Sequence, residues 1–200
     1  MEGHVDYKPQ VGDIVLMDSQ KLGARIVKYL MRSPTVWQDL WRKFVTHNLK
    51  FIPYYHVAMI YGLKEDPSSI GYSDWDIIEQ QSKVQIKNWR PDNIQIIFRR
   101  KNVTPEYKSY LAQVSRDDLG KGYDILSIFG KTATWLTGIP FFAWFVQWPG
   151  AEICVNRVAM WHYKVFGEKF AQVTIADLTT QEMYEYLMKS FDYEVVYTKP

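Results

Sequence analysis

The chain of 200 residues holds a single cysteine, Cys154. A lone thiol excludes an intrachain disulfide and is too little for a cysteine-based metal site. Surplus charge is equally scarce, with 24 Lys and Arg against 22 Asp and Glu. The basic residues are scattered, so the electrostatic footprint that nucleic acid requires is missing. No apolar run approaches the ~20 residues of a membrane-spanning helix. Residues 1–8 lack the basic-then-apolar layout of a secretory signal. Internal repeats, low-complexity tracts and dinucleotide glycine fingerprints are absent, and Gly120-Lys121-Gly122 lacks the spacing of a phosphate-cradling loop. No histidine–carboxylate spacing suggests a metal centre, and no cofactor is implied. These absences lead to the expectation of a soluble, cytoplasmic protein whose chemistry is metal-independent and made by its own side chains.

Aromatic residues are what the chain has in excess, at 16%. Many crowd into residues 125–148, with Trp135, Phe141, Phe142, Trp144, Phe145 and Trp148. This stretch reads as an insertion in one domain spanning 1–200. Its side chains suit a connection that folds back and fills the core, the preferred reading, or else an acyl groove or contact with a membrane surface through residues 135–148.

Hydrophobic periodicity organises the remainder. Gly12 to Met17 reads as a buried strand behind a glycine turn. Helical spacing follows over Ser19–Met31 and Val36–Val45, separated by the Ser33-Pro34 break. Strands are expected at Tyr55–Leu63, Trp75–Gln81, Val84–Lys87 and Ile94–Arg99. Thr104-Pro105-Glu106 places a capping hydroxyl and an N1 proline before a helix that runs to Leu119. Further helices are expected from Cys154 and over Thr180–Lys189, with a last strand at Tyr193–Tyr197. Strands in the middle and helices on both sides predict an α+β fold with a central antiparallel sheet packed by helices.

Cys154 opens its helix, where unpaired amides and the macrodipole favour the thiolate. A nucleophile there needs a base, and four histidines compete. His162 lies on the same helix face but about 12 Å along the axis, at ~1.5 Å per residue, so it reads as a core or edge histidine. His4 sits in a tail, and His47 closes a helix, where a cation complements the dipole. His56 opens an apolar strand, where the sheet would hold the imidazole rigidly. Two residues on, Ala58 shares its face and leaves room for another group. If strands 55–63 and 75–81 are hairpin neighbours, Glu79 or an adjacent glutamine can orient His56 through its second ring nitrogen.

Together, Gly12-Asp13-Ile14-Val15 before a helix, His56-Val57-Ala58-Met59-Ile60, Ile77-Ile78-Glu79, the Tyr123-Asp124 pair and Cys154 at a helix start resemble the circularly permuted papain-like cysteine hydrolases. These form the branch of the NlpC-type superfamily that holds YiiX-like bacterial proteins and the lecithin:retinol acyltransferase group. The resemblance covers roughly residues 11–165, and Asp177-Leu178 with the following helix also fits. In the permuted branch the histidine precedes the cysteine, as here, and triads are defined by geometry and not chain order. The resemblance implies a permuted papain-like fold with Cys154 as nucleophile, His56 as general base and Glu79 as the residue orienting His56. The serine or proline expected beside the cysteine is replaced by Val155, and the Cys154 amide is the one oxyanion donor it suggests.

Three functions follow as expectations. The first is a thiol hydrolase cleaving an amide or peptide bond, with cell-wall-type peptides as one substrate class. The second is a lipid-directed acyltransferase or deacylase using the same triad on an acyl-lipid substrate. The third is a non-enzymatic module that keeps the scaffold.

Overall fold

The computed structural model describes residues 7–18, 56–63, 75–80, 83–88, 94–122, 154–170, 178 and 180–199. The helices expected at 19–31 and 36–45, His4, His47, Tyr123-Asp124, the aromatic stretch 125–148 and Asp177 lie outside those residues.

Six strands form one antiparallel sheet: β1 (Ile14–Met17), β2 (His56–Leu63), β3 (Trp75–Gln80), β4 (Val84–Asn88), β5 (Ile94–Arg100) and β6 (Tyr193–Thr198). Their spatial order is β4-β3-β2-β1-β5-β6. The described helices are α1 (Pro105–Arg116), α2 (Cys154–Phe166) and α3 (Thr180–Lys189). The α+β class and the antiparallel sheet are thus as the sequence predicts.

Alternation along the strands divides the core into two layers. Ile14, Leu16, Val57, Met59, Ile78 and Phe98 pack with Val155, Val158, Ala159 and Trp161 of α2, and with side chains of α1 and α3. On the opposite face Val15, Met17, Ala58, Ile60, Ile77, Ile94 and Ile97 gather with Tyr7. The two layers leave every residue of β1 buried, which accounts for its unbroken apolar run.

The glycine before β1 is required by geometry. Gly12 has φ 93°, its N–H donates to the Ile60 carbonyl, and an added Cβ would lie 2.9 Å from Leu111 Cδ2. Next to it, buried Asp13 accepts from both Nε and Nη2 of Arg99, and from the Tyr7 hydroxyl. This fork binds β1 to β5 and draws the N-terminal segment onto the sheet. Burial, followed by the charge of Asp13, raises the Tyr7 pKa.

Two local expectations need correction. Thr104 takes the N-cap position, but its hydroxyl makes no capping hydrogen bond. It bonds the Glu106 carboxyl instead, lowering that group's pKa, so proline carries the helix start. The helix itself closes at Arg116 and not at Leu119; residues 117–120 form a turn ending at Gly120, whose φ is 82°.

Candidate active site

Cys154 is the first described residue of α2, a helix packed so closely that residues 154–159 are all buried. The apolar side of α2, with Val155, Val158 and Ala159, lies against Val57, Met59 and Ile78. That contact brings Cys154 to the beginning of β2. There the Cys154 thiol hydrogen bonds with the His56 imidazole, and the Val57 and Val155 backbone amides also donate to the sulfur.

The sheet register supplies the third group. β2 and β3 are antiparallel neighbours, and Glu79 lies opposite Ala58. Strand alternation puts His56 on the same face as Ala58. With only a methyl group between them, His56 Nε2–H donates to Glu79 Oε2 at 2.9 Å. Nε2 is thereby engaged, which leaves Nδ1 as the ring nitrogen for the thiol. The adjacent glutamine turns elsewhere: Gln80 donates through Nε2 to the Gly122 carbonyl. Of the described candidates for orienting the ring, Glu79 is the one that meets His56, and Gln81 lies outside the described residues.

Electrostatics at this cluster all run one way. Burial alone would raise the Cys154 pKa, but the His56 charge and hydrogen bond, helped by the Val57 and Val155 amides, bring it below the usual thiol range. For His56 burial disfavours the cation, yet the Cys154 sulfur and the Glu79 carboxylate outweigh it and push the pKa up to about 10. Glu79 is likewise buried, and His56 and Lys87 together hold its pKa low. Such a site favours thiolate and imidazolium over thiol and imidazole.

Lys87 is the member that sequence reasoning missed. Its Nζ lies 2.9 Å from Glu79 Oε1, the oxygen His56 does not use. A lysine on an edge strand reads as protection of the edge, so its type gave no signal. The pairing of Ile77 with Lys87 and Glu79 with Gln85 was the clue, since it places the two side chains diagonally on one face.

His162 is excluded from the site, as its distance along the helix requires. It is fully buried, its Nδ1 lies 3.1 Å from the Tyr193 hydroxyl, and its ring meets Phe166 and Phe170. Burial, reinforced by the Arg100 charge, presses its pKa down to about 3. It is a neutral core histidine, but only half satisfied: Nε2 has no hydrogen-bond partner among the described residues.

Fold and site together define an α+β protein with a buried thiol–imidazole–carboxylate chain. No protein-family model matches this sequence, and no curated protein matches it. Among solved structures, the metalloprotein yiiX from Escherichia coli O157:H7, a DUF1105 protein, shares the fold with a TM-score of 0.57. The match covers 96% of this chain and 99% of that one at 13% identity. Metal binding is a description of yiiX. Among the described residues here, no three His, Cys, Asp or Glu side chains come together as metal ligands, so those residues do not fit that role. Nor is any described helix long and apolar enough to cross a membrane.

Proposed function

We propose that the chain is a cysteine hydrolase of the permuted papain-like type, acting on an amide or peptide bond through Cys154, His56 and Glu79. The observation that carries the reading is the continuous hydrogen-bonded path from Cys154 on α2, through His56, to Glu79 Oε2. The order of these residues along the chain and the fold shared with yiiX agree with it.

In this mechanism the Cys154 thiolate attacks the carbonyl carbon, forming a C–S bond and a tetrahedral oxyanion. The amide of Cys154 is the proposed donor to that oxygen. As the C–N bond breaks, His56 gives its Nδ1 proton to the departing amine and is left as neutral imidazole. It then takes a proton from water, whose oxygen attacks the thioester carbonyl. Collapse of that second intermediate expels the thiolate, releases the carboxylic product and restores the ion pair. Throughout, Glu79 holds the ring and stabilises its cationic form.

A second reading keeps the same acyl-enzyme and replaces water by another acceptor. What favours it is the enclosure of the thiol, at 1% exposure, since a shielded thioester survives long enough to be transferred. Acyl lipids are the substrate class that the aromatic residues 135–148 would suit.

The deciding experiment screens wild type and Cys154→Ala against peptide, amide and acyl-ester substrates. The hydrolase reading expects turnover that drops about a thousandfold or more in the variant. Equal activity in both proteins would end it. Acyl transfer to an added amine or lipid in preference to water would select the second reading. A scaffold without catalysis would give no turnover and a Cys154 no more reactive than a free thiol.

A further inference from the structure

Glu79 divides its two oxygens between two cations. Oε2 accepts from His56 at 2.9 Å, and Oε1 meets Lys87 Nζ at 2.9 Å. The carboxylate side chain is 4% exposed, whereas the Lys87 side chain is 41% exposed. Lys87 therefore reaches from solvent at the sheet edge into the buried end of the site. An exposed lysine paired with an exposed carboxylate would contribute little. Here the carboxylate is buried, its other oxygen orients the proposed base, and a buried carboxylate needs compensation to stay ionised.

We infer that Lys87 is a positioning residue for the proposed chemistry: by binding Glu79 Oε1 it fixes the carboxylate that orients His56 and sets the pH at which the Cys154–His56 ion pair forms. The inference rests on the Cys154–His56–Glu79 reading and deepens it. Three groups surround the change: His56 faces Glu79 from β2, Lys87 faces it from β4, and Cys154 faces His56 from α2. Removing the Lys87 charge makes proton loss harder at each of the other groups. The pH at which the thiolate appears must then rise. The same loss frees Oε1 and loosens the His56 ring, and because it acts through the proposed base it lowers kcat more than it changes KM.

The test uses the full chain and exploits its one cysteine. Thiolate absorbance is followed against pH in wild type, Lys87→Met, Lys87→Gln and Lys87→Arg, with Cys154→Ala subtracted as background. The expected result is an onset about half a pH unit higher in both neutral variants and restored by arginine. On a substrate that wild type turns over, the acid limb of kcat/KM moves in parallel. A thiolate that appears at low pH in wild type and at that same pH in both neutral variants would overturn the role of Lys87 and leave the triad standing. A wild-type thiolate that forms only where an ordinary thiol ionises would overturn the triad reading, and Lys87's role with it.

Discussion

At the scale of single residues, the site is an ion pair held from three sides. In the proposed mechanism the active combination is thiolate with imidazolium, which exists above the lowered pKa of Cys154 and below that of His56, about 10. A kcat/KM profile should accordingly rise as the thiolate forms, at a pH below the usual thiol range, and fall near pH 10 as His56 loses its proton. Glu79→Gln keeps the hydrogen bond to Nε2 but removes the charge that sustains the imidazolium. It should bring the alkaline limb down and reduce kcat/KM by about a hundredfold, both read from the same pH series. Cys154 and His56 stood out because their types are rare here, with one cysteine and four histidines to choose from, whereas Glu79 was singled out by its place on an otherwise apolar strand. Lys87 was not, since lysines are common and its role appears only with the register of β3 on β4.

At the scale of elements, the short segment after α1 does more than end a helix. Buried Asp118 accepts from Trp161 Nε1 at 2.9 Å and from Arg157 Nη1 at 3.1 Å, both on α2. Lys121 Nζ reaches the other carboxylate oxygen. A few residues on, Gly120 N–H donates to the Val84 carbonyl and Val84 N–H to that of Lys121. Gly122 receives the Gln80 side chain. Residues 118–122 thus bracket the helix that carries Cys154 to the strands that carry Glu79 and Lys87. Asp118→Ala should cost about 3 kcal/mol in urea unfolding, because it withdraws the carboxylate from a buried guanidinium. Gly12→Ala should cost roughly 1–2 kcal/mol in the same assay, through its positive φ and the contact with Leu111.

Among the described residues, strand and helix positions were legible from periodicity, to within a residue or so at most ends. The bracket was not, because Asp118 sits in an ordinary turn sequence and its partners lie far along the chain. Thr104 shows the converse error. The capping pattern is present, yet a nearby carboxyl wins the hydroxyl.

At the scale of the molecule, stability should trace a broad maximum in pH. His56 is raised from 6.5 to about 10, so its contribution is full below 6.5 and is lost as pH rises through 10. Cys154 is lowered from 9.0, so its contribution is full above 9.0 and is lost as pH falls. Wherever the folded pair is thiolate with imidazolium and the unfolded pair thiol with imidazole, each holds one proton. Folding there moves a proton internally and takes up none, which leaves this pair without pH dependence. On the acid side His162, kept neutral to about 3, and the lowered carboxyls of Glu79 and Asp118 all favour the unfolded state as pH falls. Urea midpoints measured across pH should be flat in the middle and decline on both sides. Cys154→Ala, which removes the partner that most raises His56, should decline less on the alkaline side.

The sheet class was legible, whereas the strand order was only partly so. Local signals suggest the β2–β3 hairpin, but they do not reveal that β1 lies between β2 and β5, a pairing across long stretches of chain.

That the histidine comes first has a consequence for how the chain is made. Synthesis delivers residues in order at roughly 5–20 per second, so β1 to β5 leave the ribosome seconds before the start of α2. His56 and Glu79 already have their strands when Cys154 emerges, and only then does the bracket at 118–122 receive its helix. In the proposed triad the sulfur is therefore the last part to be delivered. Until then a nascent chain would carry the acid–base half of that triad with nothing for it to activate.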